Sequence, residues 1–202
     1  MQILMIRHGE SEADILKVHE GRADFPLTEL GRKQVRLMAE KVKRRFPPEF
    51  IWASTLRRAS ETAGVLANTV GCPVQYEDEL MEHNNGVLAG LSYEEAKKYP
   101  RPKEAHERIE NGESDIEFRM RIEVIFSRIL SSSSYDRIAI VAHGGVINNL
   151  LRSFLKMPVT KEFGFHNGDT AIHLVEITAS QSRRVHFLND TSHLEALELE
   201  LP

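Results

Sequence analysis

Cysteine is all but missing: Cys72 is the only one in 202 residues. One thiol closes no intrachain disulfide and builds no cysteine-based zinc site. Long hydrophobic runs are missing too. Stretches such as Ile138–Ala142 have strand length, far short of the roughly 20 residues that a membrane helix needs. Nor does charge of one sign dominate. With 30 Asp and Glu against 26 Lys and Arg, the net charge is −4, which argues against a surface built for polyanions such as DNA. The first residues carry no basic leader and no cleavage-site pattern, so a cytoplasmic location is expected. What remains, 41% hydrophobic and 28% charged residues, describes a globular chain rather than a disordered one. Its length fits one domain spanning 1–202.

The hydrophobic pattern alternates between short apolar runs and helical spacing. Gln2–Ile6 reads as a buried strand. Thr28 is a plausible N-cap for a helix through Val35, Met38, Ala39, Val42 and Phe46, which Pro47 and Pro48 stop. Phe50–Ala53 is a second strand, followed by an amphipathic helix through Ala59, Ala63, Leu66, Ala67 and Val70. Val74–Tyr76 predicts a short strand, and Glu77–Leu91 a loop. Ser92–Tyr99 and Lys103–Glu110 are polar helical pieces split by Pro100 and Pro102. Ser114 and Glu117 form a capping-box pattern ahead of a helix that reaches Leu130. The serines Ser131–Ser134 predict a turn before the strand Arg137–Ala142, and a helix then reaches about Lys156. Thr170–Thr178 and Arg183–Leu188 predict a late hairpin around Ser180. This alternation predicts an α/β fold, a three-layer α/β/α sandwich with a mostly parallel central sheet.

In such sheets function gathers at the carboxyl ends of the strands. Three polar clusters fall there: Arg7-His8-Gly9-Glu10-Ser11, Ser54–Arg58, and His143-Gly144-Gly145. Taken singly, each has a bland reading: a structural histidine, a solvated helix start, a tight turn. Together, two histidines and several arginines on one rim suggest an anion site, most naturally for a phosphoryl group. Arginine presents a planar fork of donors to phosphate oxygens. A helix opening after each cluster adds free backbone N–H groups.

These residues also carry a resemblance. Arg7-His8-Gly9-Glu10-Ser11 resembles the RHGE[ST] motif of the histidine phosphatase superfamily, the phosphoglycerate mutase-like proteins. Leu27–Gln34 is similar to the LTxxGxxQ stretch of that family, and Ser54–Ala63 to its SxLxRAxxTA segment. Glu82 sits where the family places its acid, and Ala142–Gly145 resembles the second-histidine motif. The resemblance implies that His8 is the nucleophile, taking up the phosphoryl group as phosphohistidine. It implies that Glu82 is the general acid and base. Arg7, Arg58 and His143 would hold the phosphate oxygens, with Arg57 left to solvent. Gly21 and Gly144 join them as candidate phosphate-side positions. No metal or other cofactor is implied, and the scattered His166, His173, His186 and His193 need not be ligands.

Two positions depart from the pattern. Asp14 stands where the family usually has Asn, and Glu20 stands before Gly21 where related phosphatases often have Gln. A carboxylate touching phosphate repels it. Asp14 is therefore turned away, paired (with Arg22, for example), protonated, or part of a loop that recognises a cationic group near the phosphate, as phosphoserine carries. Broad specificity with both carboxylates salt-bridged is an equal alternative. Only 61 positions separate Glu82 from His143, and the polar segment 92–113 between them reads as a lid. The expected activity is hydrolysis of small phosphate monoesters. A phosphoglycerate mutase and a non-catalytic phosphate-binding module are the alternatives. The expected partner is a small phosphate ester, with no nucleic acid and no membrane; a homodimer stays open.

Overall fold

Every side chain from Ile3 to Ile6 is fully buried, and a strand with no polar face belongs in the middle of a sheet, covered on both sides. Strand β1 (Gln2–Arg7) accordingly lies between β4 (Arg137–Ala142) and β5 (Ile172–Ile177) in the computed structural model, which describes residues 1–159 and 163–198. With β2 (Phe50–Ser54), β3 (Val74–Glu77) and β6 (Arg183–Asp190), the sheet order is β3-β2-β4-β1-β5-β6. The first four strands in that order run parallel, while β5 runs antiparallel to β1 and β6 antiparallel to β5. The expected α/β architecture is therefore present, with the late hairpin closing one edge.

Alternation along β1 divides the core. Ile3 and Met5 pack under α5 (Asp115–Ser132) and α6 (Gly144–Phe154), through residues such as Phe118, Ile122, Ile147 and Phe154. Leu4 and Ile6 face α2 (Glu29–Arg45) and α3 (Arg57–Val70), through Val35, Met38, Ala63 and Leu66. Thr28 caps α2 as its sequence suggests, accepting from the Gly31 amide at 2.9 Å. Gly31 matters for another reason. A Cβ there would lie 2.1 Å from the Glu10 carbonyl, so only glycine lets α2 press against the loop that carries His8.

Several expectations need correction. Lys103–Glu110 forms turns and bends rather than a helix, and Ser92–Tyr99 shrinks to one turn, α4 (Tyr93–Ala96). Pro100 and Pro102 restrict the residues before them to extended backbone. The small apolar set Leu88, Ala96 and Ile109 pins the segment instead. Ser131 and Ser132 continue the α5 line rather than turning, with both hydroxyls bonding back to the Arg128 carbonyl. Helix α6 stops at Phe154, two residues before Lys156, whose φ of 55° lies outside the helical region. A five-residue helix, α1 (Glu12–Leu16), was not foreseen. Among the described residues no helix is long and apolar enough to cross a membrane.

Candidate active site

The parallel strands β1, β2 and β4 deliver their following residues to one rim. Arg7 ends β1, and His8 follows it. Arg58 stands in the first turn of α3 after β2, and His143 caps α6 after β4. Glu82 reaches the same rim from the loop after β3, where Oε2 accepts from the Gly145 amide at 2.8 Å. Four separated segments thus converge, as strand-end positions require.

His8 is 1% exposed. Its Nδ1 lies 2.8 Å from the Gly9 carbonyl, and a carbonyl only accepts, so Nδ1 holds the proton. Nε2 then keeps its lone pair, which receives the Arg58 Nε–H at 3.2 Å. Burial, with Arg58 and Arg7 nearby, holds the His8 pKa well below the ordinary histidine value. The ring is neutral at pH 7, with a free nitrogen facing a guanidinium.

Arg58 is fully buried, and its two terminal nitrogens donate at 2.9 Å to the carbonyls of Ala23 and Gly21. Gly21 therefore works through its carbonyl, by holding Arg58. Arg57 is exposed, as expected. Arg7 donates to the Asn167 carbonyl at 2.7 Å and pairs with Asp169 at 3.2 Å. Burial raises the Asp169 pKa above its ordinary value, despite the pull of Arg7. The His143 ring lies 5.1 Å from that of His8, centroid to centroid. Its Nε2 meets Ser54 Oγ at 2.8 Å, while Nδ1 is buried without a hydrogen-bond partner. Burial, followed by Arg58 and His8, keeps His143 neutral as well.

The two departing carboxylates behave differently. Asp14 is exposed and closes the capping box of α1, accepting from the Ser11 amide at 2.9 Å. Its expected partner Arg22 pairs instead with Glu113, at 3.6 Å, and donates to the Glu82 carbonyl. Glu20 turns into the site. One oxygen lies 3.4 Å from Arg58 Nε and accepts from the Ser11 hydroxyl; the other lies 3.9 Å from His8 Nε2. Because His8 is neutral, that last approach is a proximity and not an ion pair.

Sequence reasoning missed the supports. Asn167 and Asp169 precede β5, an antiparallel strand whose starting end shares the rim, so a rule about carboxyl ends overlooks them. Arg121, on α5, donates to the carbonyls of Glu79, Met81 and Glu82 and pairs with Glu113. Gly144, at the start of α6, has open space where a Cβ would stand, whereas at Gly145 a Cβ would lie 2.4 Å from Glu82 Oε1. Among the described residues no group of three or more His, Cys, Asp or Glu is arranged to hold a metal. His173 is bonded to the Asn189 amide, His193 to Thr170 and His186 to Glu176.

A neutral histidine nitrogen backed by two arginines, a second histidine and a carboxylate has the donor set that suits an anion such as a phosphoryl group. The family model for the histidine phosphatase superfamily (branch 1) matches residues 3–191. The chain belongs to this superfamily. Among named relatives in the superfamily, Probable phosphoglycerate mutase GpmB of Photorhabdus laumondii is 32% identical over 169 residues, which is 80% of this chain and 78% of that one. The structure of the mycobacterial glucosyl-3-phosphoglycerate phosphatase, complexed with VO3, superposes with a TM-score of 0.80 at 26% identity, covering 93% and 98% of the two chains. The alpha-ribazole phosphatase of Shigella flexneri shares the fold, with a TM-score of 0.82 at 24% identity over 95% and 97%.

Proposed function

We propose that the protein hydrolyses small phosphate monoesters through a phosphohistidine on His8. The observation that carries this reading is the unprotonated Nε2 of a buried His8, 3.2 Å from the Arg58 Nε–H and with Arg7 nearby. In the first step Nε2 attacks phosphorus and the ester P–O bond breaks. Glu82 gives its proton to the leaving oxygen. Arg7, Arg58 and His143 stabilise the charge on the equatorial oxygens. In the second step water attacks the phosphorus and the P–N bond breaks. The Glu82 carboxylate takes the proton of the water, inorganic phosphate leaves, and His8 recovers its lone pair. Neither step calls for a metal. Segment 92–113 is read as the cover of this pocket; it is tied to the acid loop where the Glu113 amide donates to the Asn84 carbonyl.

A mutase is the second reading, favoured by the name of the relative at 32% identity. A mutase must keep water from phosphohistidine. The short span from Glu82 to His143, 61 positions, leaves little chain to do so, which supports hydrolysis. Incubation with 3-phosphoglycerate separates the two: hydrolysis gives inorganic phosphate, and mutation gives 2-phosphoglycerate. Acid-labile, base-stable labelling by a phosphate ester that vanishes in His8→Ala supports the covalent route. Absence of any labelled or hydrolysed product would leave only a phosphate-binding module.

A further inference from the structure

Glu20 occupies a place that the reaction needs. A phosphorus poised for attack sits about 3–3.5 Å from the nucleophilic nitrogen, so its equatorial oxygens lie in the shell about 3–4 Å away. Glu20 Oε2 is already in that shell, 3.9 Å from His8 Nε2. Oε1 is 3.4 Å from Arg58 Nε, the same N–H that points at the nucleophile. The side chain is 19% exposed and is steadied by the Ser11 hydroxyl. The free protein therefore presents Arg58 with an internal anion in place of a phosphate oxygen.

Resting on the hydrolase reading, we propose that Glu20 is a specificity-determining residue: the phosphoryl group must displace it from Arg58, and the displaced carboxylate selects esters whose leaving group carries a cation beside the phosphate. A plain alkyl phosphate brings a dianion next to Glu20 and offers nothing to pair with it. An aminoalkyl phosphate places an ammonium a few bonds from the phosphorus, within reach of a carboxylate that has moved out of the oxygen shell. Asp14, turned outward in the capping box, takes no part in this exchange.

The test compares wild type, Glu20→Gln and Glu20→Ala at one pH. Calorimetry gives Kd for inorganic phosphate; kcat/KM is measured for O-phosphoethanolamine and for ethyl phosphate. Glu20→Gln keeps the shape and an acceptor for Ser11 but removes the charge; Glu20→Ala removes both. Both variants are expected to bind inorganic phosphate about tenfold tighter, and to lower the ratio of the amino ester to the plain ester about tenfold. A purely structural role would weaken both esters alike and leave the phosphate Kd unchanged. An unchanged Kd, or an unchanged ratio, overturns the proposal. If neither ester is turned over and no phosphohistidine forms, the hydrolase reading has failed. The Kd values of phosphate and of the two esters then judge Glu20 by themselves.

Discussion

The Gly145 amide and the Glu82 carboxylate meet at 2.8 Å across 63 residues of sequence. The contact fixes the candidate acid at the N-terminal turn of α6. It also explains the second glycine of the His143-Gly144-Gly145 run: a Cβ at 145 would lie 2.4 Å from Glu82 Oε1, whereas one at 144 meets nothing. Gly145→Ala must push the carboxylate aside. Alanine is the better helix former by about 1 kcal/mol, so thermal stability should hold while kcat falls. A loss of 10- to 100-fold is expected, within the range of general acid–base contributions. Gly144→Ala alters helix propensity in the same way without the clash. The difference in kcat between the two variants, read beside their melting curves, isolates the displacement of Glu82.

Arg121 holds Glu82 through the backbone of its loop. It holds the carbonyls of Glu79, Met81 and Glu82, and pairs with Glu113 at 2.6 Å. Burial pushes the Glu113 pKa up, but hydrogen bonds from Arg121 and the Asn84 amide outweigh it and leave it below the usual value. Arg121→Ala strands three carbonyls and a carboxylate that is 14% exposed. Breaking such a pair costs about 3–5 kcal/mol when one partner stays buried. Urea unfolding should show a loss toward the low end of that range, because Arg22 stands 3.6 Å from the same carboxylate. A tenfold or larger fall in kcat with little change in KM would mark Arg121 as a positioning residue. A change in KM alone would contradict it.

The parts of the site that stand at parallel strand ends were legible in the sequence. His8, Arg58 and His143 follow β1, β2 and β4, and an apolar run ending in charged residues is visible without a structure. Asn167 and Asp169 were not legible, because they precede an antiparallel strand and their contacts with Arg7 cross 160 residues in the Asn167 case. Asp14 and Glu20 looked alike as sequence departures, yet one caps a helix and the other faces the nucleophile. Only the local backbone, with α1 unforeseen, decides between them. The polar segment after Pro100 misled for a similar reason. Its spacing is helical, but the Pro-restricted backbone and a three-residue apolar anchor win over propensity.

Arg58 should not tolerate lysine. The guanidinium meets His8, Gly21, Ala23 and Glu20 from one planar fork, and an ammonium at the end of a flexible stem cannot reproduce that set. Arg58→Lys keeps the charge, so it tests geometry alone. Loss of one preorganised donor in a transition state typically costs 10²–10³ in rate, and kcat/KM is expected to fall by that amount. Recovery to within tenfold of wild type would show that charge, not the fork, is what the site needs.

Acid should destabilise this protein through its buried, neutral histidines. His8 and His143 are held neutral well below the ordinary histidine value by burial and by their arginines. Burial also brings His173, which is fully inaccessible, down to about 4. In the unfolded chain these rings take up protons as the pH falls through about 6.5, while in the folded chain they do not. The unfolded state then binds more protons, so stability is complete above pH 6.5 and declines as the pH drops toward 4. His173 alone accounts for up to roughly 3 kcal/mol of that decline. Denaturant titrations at pH 7, 6, 5 and 4 should show the slope, and His173→Gln should flatten it. Where the protein remains folded, the acid limb of kcat/KM should lie below pH 6.5, since burial, Arg58 and Arg7 lower the His8 pKa. An acid limb near pH 6.5 that His8 alone explains would contradict the neutral, buried imidazole on which the covalent step depends.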